Sequence, residues 1–426
     1  MPVEPHTLFT GDNLPIMRGM DGESVDLIYL DPPFNKKKDF IAPIGSKAEG
    51  AEFKDWWTMD DVKDEEIGEI GEAYPSVADL IKTAGDISGE SHRSYLIVMA
   101  IRLIEMKRLL KSTGSIYLHC DPTMSHWLKL LMDAIFGEKN FRNEIVWYYK
   151  GRESILKKHF ARKHDLIYFY AKTTGSLFKS FTEKWTEDEF LKRRHDVVKE
   201  GGRLVIRTDA ADGTRYLRDA QEVMEKGKPI SDVWEIMPIN ASAKERTGYP
   251  TQKPLALLER IIQASSNKGD LVLDPFCGCA TTLVAAQALE RKWIGIDQST
   301  RAVELVRERM SQRSLFVEVH HWDTNKKGFP QRQDGITVSP DIKRILYGKQ
   351  LGYCQICGNH FRYQNLEIDH IIPKSRGGGE ADENKQLLCG HCNRVKGNRL
   401  TNAETKARLK EQEAEYLKSV KNAKKA

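Results

Sequence analysis

Two adjacent prolines placed directly after an apolar run restrict this chain more than any other feature. Residues 25–30, Val-Asp-Leu-Ile-Tyr-Leu, read as a buried strand, and Asp31-Pro32-Pro33-Phe34 follows at once. Proline has no backbone donor for a ladder, so the chain must leave the sheet there. That exit leaves a carboxylate, stiffened carbonyls and an aromatic ring at the carboxyl end of a strand. Open α/β sheets bind their ligands at that end. Such a tetrad can grip a flat base that carries an amino group. The Asp31 carboxylate and the Pro32 carbonyl accept the amino hydrogens, and the Phe34 ring stacks. Taken alone, the tetrad is equally a strand end with a Pro-Pro turn.

The chain around it alternates. Residues 92–111 carry Ile97, Ile101 and Ile104 at helical spacing, Gly114 can end that helix, and 115–119 form the next strand. Asp121-Pro122 opens a helix that closes at Gly137, and 144–149 and 166–170 are strand-like. Between those two strands lie Arg152, Lys157, Lys158, Arg162, Lys163 and His164. This alternation predicts an α/β sheet with crossovers. Residues 35–92 are polar, with Lys36-Lys37-Lys38 and Trp56-Trp57, and read as a long, mobile, mostly solvated insertion beside the tetrad. From about 174 to 228 the chain is charged, rich in Arg and Lys, and poor in periodicity.

Periodicity returns at Thr251-Gln252-Lys253-Pro254. A helix over 255–266 runs into the strand 271–274, which ends in Asp274. Pro275-Phe276-Cys277-Gly278-Cys279-Ala280-Thr281-Thr282 then turns into a helix over 283–289, and a second strand ends in Asp297. Strand, small-residue loop, helix, strand and terminal acid is the layout of an adenosine-type cofactor site. The loop admits the cofactor to the backbone, and the acid can take ribose hydroxyls. No lysine follows the loop, which argues against a nucleoside triphosphate.

Near the C-terminus Cys354, Cys357, Cys389 and Cys392 form two Cys-x-x-Cys pairs, which can supply four thiolates to one tetrahedral zinc. Cys120, Cys277 and Cys279 read as reduced core residues, a usage that suits a reducing cytosol. Between the pairs stand Asp369-His370, a Gly377-Gly378-Gly379 turn and Asn384, and Asn393 follows the last cysteine. The 426 residues leave room for two or three domains, and the net charge of +5 suits a polyanionic partner. The first residues, Met-Pro-Val-Glu-Pro-His, are not an apolar run, so no signal segment is expected. The best apolar segment, 96–110, is broken by Arg102, Glu105, Lys107 and Arg108, so no membrane span is expected.

Gly11-Asp12, the Asp31 tetrad, Thr251-Gln252-Lys253-Pro254, the 274–282 loop and Gly295-Ile296-Asp297 together resemble the amino-methyltransferases of DNA, in the permuted order of the beta subgroup. The resemblance spans about residues 6–312. It implies S-adenosyl-L-methionine as cofactor and a Rossmann-like, seven-stranded, mostly parallel sheet. It also implies that Asp31, Pro32, Pro33 and Phe34 act on an amino group of a base, adenine N6 before cytosine N4. Asp12 would contact the cofactor's adenine and Asp297 its ribose. Asp274, Phe276 and Gly278 would hold its methionine side, with Gln252 and Lys253 beside the pocket. The family's Phe-x-Gly-x-Gly ends here in Ala280. Residues 174–228 are then either a DNA target-recognition region or a variable surface lobe.

Residues 339–400 resemble the HNH nucleases, a zinc-stapled ββα-metal unit. By that resemblance Asp369 and Asn393 hold a divalent ion, Mg2+ or Mn2+. His370 would activate water, and Asn384 would orient His370 and its loop. A zinc-stapled knuckle that only binds DNA is the alternative. The expected organisation is a methyltransferase domain over 1–312, a linker over 313–338, the HNH unit, and a charged helical tail over 401–426. The expected whole is a bifunctional enzyme of double-stranded DNA in the prokaryotic cytoplasm and nucleoid, with a homodimer left open. A DNA-binding regulator with both sites inactive is the non-enzymatic alternative.

Overall fold

The apolar run Val25–Leu30 forms the fifth strand of a nine-stranded sheet in the computed structural model, which describes residues 5–149, 156–210, 214–240, 242–311, 319–320 and 341–423. The order across the sheet is Val233–Glu235, Phe141–Tyr148, His164–Ala171, Leu110–Cys120, Val25–Leu30, Leu271–Asp274, Lys292–Asp297, Thr7–Thr10 and Val319–His320. Only His164–Ala171 runs antiparallel to its neighbours. The seven strands expected make up the body, and two short edge strands, Val233–Glu235 and Val319–His320, extend it.

Successive side chains of the central strand point to opposite faces. Ile28 and Leu30 enter one core with the helices Glu90–Leu109 and Ser125–Phe136. Leu27 and Tyr29 enter the other, with Leu255–Ser265 and Thr281–Ala288. Coverage on both faces explains why the strand is continuously apolar. The helix Ser125–Phe136 begins four residues after Asp121 and stops at Gly137, whose φ of 90° disfavours residues with a Cβ.

The stretch read as a mobile, solvated insertion is ordered. Lys38–Ile41 and Glu52–Asp55 pair as a hairpin, and Asp64–Ala73 and Pro75–Ser88 are helices. Their buried apolar side chains, Ile67 and Ile70, then Val77, Ile81 and Ala84, are few and separated by polar and charged residues. That dilution made the segment look like surface. The described residues of 187–210 and 214–226 form a small lobe with its own core of Phe190, Ile206 and Ala220, and a three-stranded sheet of Val197–Glu200, Arg203–Asp209 and Arg215–Asp219.

Toward the C-terminus, the antiparallel strands Leu366–His370 and Lys385–Cys389 lead into the helix Gly390–Lys396. The helix Ile342–Gln350 precedes them and crosses Asp64–Ala73 at backbone contact. A Cβ on Gly68 would lie 2.2 Å from the Arg344 carbonyl oxygen, and one on Gly348 would lie 1.9 Å from that of Asp64. Leu346, Tyr347, Cys354 and Ile356 thereby join Ile67 and Ile70 in one apolar cluster. Arg344 pairs with Glu72 at 2.6 Å and Arg362 with Asp79 at 2.7 Å along the same seam. Of the expected linker only Val319–His320 is described, as the edge strand beside Thr7–Thr10; the rest lies outside the described residues. The tail is the helix Asn402–Ala423. No helix among the described residues is long and apolar enough to cross a membrane.

Candidate active site

Asp12, the whole Asp31 tetrad, Gln252, Lys253, Asp274, Phe276, Gly278 and Asp297 line a single cavity of about 820 Å³ at the carboxyl edge of the sheet. The residues nominated from distant motifs therefore meet. The ordered insertion supplies a further wall through Phe40, Phe53, Lys54 and Trp57.

Asp31 leaves the sheet with its two carboxylate oxygens in different states. Oδ2 accepts a short hydrogen bond from Lys253 Nζ. Oδ1 is buried and has no hydrogen-bond partner among the described residues. A buried acceptor left open costs free energy that a ligand's donor can restore. Lys253 is itself buried. Its ammonium thus belongs to the tetrad, a pairing across 222 residues that no local pattern announces. Phe34 is backed by the imidazole of His119, with ring centroids 5.9 Å apart and planes at 28°. His119 is held by Tyr29 Oη at 3.0 Å and Asp165 Oδ2 at 3.2 Å, so the Phe34 ring rests on a buried polar brace. Neither His119 nor Asp165 was nominated from the sequence. The ammonium groups of Lys36 and Lys253 lie 5.0 and 5.6 Å from the Phe34 ring centre.

The cofactor loop has the fit that an adenosine-bearing ligand needs. Gly278 has φ +48°, a conformation that favours glycine, and a Cβ there would lie 2.9 Å from the Tyr249 ring. Ala280, in place of the family's glycine, adopts φ 59° and caps the next helix while fully buried. Asp297 accepts Gly278 N and Ser299 N, each at 2.8 Å, and each oxygen keeps a second lone pair for a hydroxyl. Burial raises its carboxyl against those two donors. Burial also pushes Asp274 up to about 7, opposed by hydrogen bonds from Thr282 and the Phe276 amide. Asp12 caps the helix Asn13–Gly19 by accepting Leu14 N, and it pairs with Arg102 at 2.7 Å. Asn13 extends that brace to the Pro275 carbonyl at 2.7 Å, tying the chain's start to the cofactor loop. Gln252 accepts from Thr247 and donates to the Glu245 carbonyl, so its amide holds its own loop.

In the C-terminal unit the thiol sulfurs of Cys354, Cys357, Cys389 and Cys392 all lie within 4.8 Å of one another, a set suited to one metal ion. Asp369 and His370 end the first strand of the hairpin. Asp369 Oδ2 accepts from the fully buried Lys396 at 2.7 Å and from Gln386 at 3.0 Å. His370 Nε2 lies 3.3 Å from Glu380 Oε2. Asn384 fastens the loop after His370: its Oδ1 accepts Ile372 N at 2.8 Å and its Nδ2 donates to Gly379 O at 2.8 Å. Asn393, on the following helix, donates to Glu367 Oε2 at 2.6 Å. Glu367, Glu380, Gln386 and Lys396 also contact the nominated residues, and sequence reading did not nominate them.

Comparison with known proteins matches both domains. The DNA methylase family model for N6 and N4 enzymes matches residues 25–308, and the HNH endonuclease model matches 354–399. The type II methyltransferase M.EcaI of Enterobacter cloacae is 28% identical over 352 residues, covering 72% of this chain and 70% of that protein. The DNA adenine methyltransferase YhdJ of Escherichia coli K12 is 28% identical over 318 residues, covering 75% and 85%. Among solved structures, a DNA modification methylase from Thermus thermophilus aligns over 75% of this chain and 100% of its own, at 18% identity and a TM-score of 0.41.

Proposed function

The chain belongs to the DNA methylases of the N6/N4 type and ends in an HNH domain, and from that premise we propose that it methylates adenine N6 in double-stranded DNA, with S-adenosylmethionine as the donor. One observation carries the reading: Asp31 has one oxygen fixed by Lys253 and the other open and buried at the cavity. An exocyclic amine supplies the missing donor, and the Pro32 carbonyl is placed in sequence to take its second hydrogen. With both N–H bonds held, the nitrogen lone pair is turned toward the cofactor pocket, and alignment does most of the catalysis. Phe34, steadied by His119, takes the face of the base, which must leave the duplex to arrive there.

S-adenosylmethionine supplies an electrophilic sulfonium methyl. Asp297 would hold its ribose hydroxyls, Asp12 its adenine, and Asp274, Phe276 and Gly278 its methionine end. Adenine is favoured over cytosine N4 by the Asp that heads the tetrad and by the relative named as a DNA adenine methyltransferase. Cytosine N4 is the second reading, because the same two acceptors fit its amine.

The HNH domain would cut DNA. Asp369 and Asn393 would hold Mg2+ or Mn2+, which polarises a phosphate, while His370 takes the proton of the attacking water. Four thiolates would hold a structural zinc. The buried Lys396 shares Asp369 with that ion, so the site offers it less negative charge than a free carboxylate would. If this site does not cut, the domain is a zinc-stapled DNA clamp. Together the two sites would make a single-chain restriction-modification enzyme of the prokaryotic cytoplasm. Incubation of unmethylated DNA with methyl-labelled S-adenosylmethionine, followed by nucleoside mass spectrometry and a cleavage assay with Mg2+ or Mn2+, tests both halves. N6-methyladenine and cut DNA are expected; label found only in N4-methylcytosine would refute the adenine assignment.

A further inference from the structure

Phe160 is 97% exposed, more than any other large apolar side chain among the described residues. It sits on a loop whose described part, 156–163, also carries Lys157, Lys158, Arg162 and Lys163. A phenylalanine this exposed stands outside the core, so its ring is available to a partner without disturbing the fold.

The loop's position says which partner. Its two ends are the strands Phe141–Tyr148 and His164–Ala171. Because His164–Ala171 runs antiparallel to both neighbours, the loop leaves the sheet at the same edge as Asp31. Its root connects to the tetrad through three successive contacts. Tyr149 N donates to Lys163 O at 3.0 Å, and Tyr149 Oη reaches Asp165 at 3.4 Å. Asp165 holds His119, and His119 stacks on Phe34. A basic loop with an exposed phenylalanine, rooted beside a pocket that takes an extruded base, has the composition of a duplex wedge. Cations take phosphates on either side, and the ring enters the base stack.

We propose that Phe160 enters the duplex where the target base leaves it, with Lys157, Lys158 and Arg162 on the flanking phosphates. The proposal rests on the reading of the chain as a DNA methyltransferase. Its occupant is double-stranded DNA, chosen by charge complementarity and by continuity with the Asp31 site.

The test uses the full chain and a short duplex bearing a sequence that the wild type is found to methylate. One version pairs the target adenine with thymine; the other places an abasic site opposite it, so that the base is already unpaired. Phe160→Ala should lower kcat/KM on the paired duplex by roughly ten-fold or more, the scale of one lost aromatic–base stack. Phe160→Trp should retain most of the activity. On the abasic duplex the Phe160→Ala deficit should shrink, because the wedge no longer has a base pair to open. Lys157→Ala/Lys158→Ala should lower affinity and flatten its dependence on salt. An equal deficit on both duplexes, or none, overturns the wedge. A Phe160→Ala variant that loses a dimer in sedimentation while binding DNA normally also overturns it and gives the ring to a second copy of the chain. A wild type that transfers no methyl group overturns the underlying reading and the wedge with it.

Discussion

Gly348→Ala sets two known effects against each other, and the structure decides the sign. In a helix interior, replacing glycine with alanine gains about 1 kcal/mol of propensity. Gly348 lies within the helix Ile342–Gln350, so on propensity alone the variant should be more stable. Its new Cβ would lie 1.9 Å from the Asp64 carbonyl oxygen. A relaxed carbon–oxygen contact is about 3.4 Å, so the two helices must part by about 1.5 Å. The obstructing atom is backbone within another helix and cannot rotate away. Overpacking of this kind costs about 1–3 kcal/mol, and here the upper part of that range applies. Parting the helices also loosens Tyr347 and Leu346 against Ile67 and Ile70. The net expectation is a loss of about 1–2 kcal/mol, with the steric cost outweighing the helix propensity. Thermal unfolding by calorimetry should show a lower Tm for Gly348→Ala and for Gly68→Ala. The double variant should lose less than the sum, because both open one seam. A single transition at a higher Tm for either variant would refute backbone contact between the two units.

Further expectations concern the sites. Lys253→Met should lower kcat by roughly ten-fold or more, the scale of a hydrogen bond to a charged group, while leaving cofactor Kd near wild type in calorimetry. If cofactor affinity falls instead, Lys253 serves the cofactor and not Asp31. Asp274 is raised to about 7 by burial, so the folded state holds a proton that the unfolded chain has released. The stability it contributes is complete below its unfolded value near 3.8 and is lost as pH rises through about 7. Asp274→Asn should therefore flatten the apo-protein's Tm-versus-pH profile across that window; an unchanged slope would remove the assignment. His370→Ala should abolish cleavage and spare methylation. Cys354→Ser should unfold the zinc unit and also lower the Tm of the remainder, because Cys354 shares its apolar cluster with Ile67 and Ile70. A methyltransferase melting unaltered by Cys354→Ser would show the two units to be energetically separate.

Much of the site was legible because short-range rules govern it. Proline exclusion located the end of the Val25–Leu30 strand, and the acid after a second strand located Asp297. Long-range register was not legible. The Lys253–Asp31 pair, the His119 brace under Phe34 and the Arg102–Asp12 contact join residues that only the folded sheet brings together. The insertion was misread because its helices bury few residues. Its signal was small residues one turn apart: Gly68 and Gly71 face Arg344 and Tyr347, where side chains would forbid the approach. Small residues at that spacing mark a close crossing, but nothing local names the partner helix.

If Asp31 grips the target amine and leaves the cofactor to other residues, its loss should separate methylation from cofactor binding. The most direct measurement pairs nucleoside mass spectrometry of treated DNA with calorimetric titration of S-adenosylmethionine, for the wild type and Asp31→Ala. The wild type should yield N6-methyladenine and Asp31→Ala none, with cofactor affinities that agree within about two-fold, since less than about 0.5 kcal/mol should separate them. Loss of cofactor binding in step with loss of methylation, or N6-methyladenine made by Asp31→Ala at the wild-type rate, would contradict that role for Asp31.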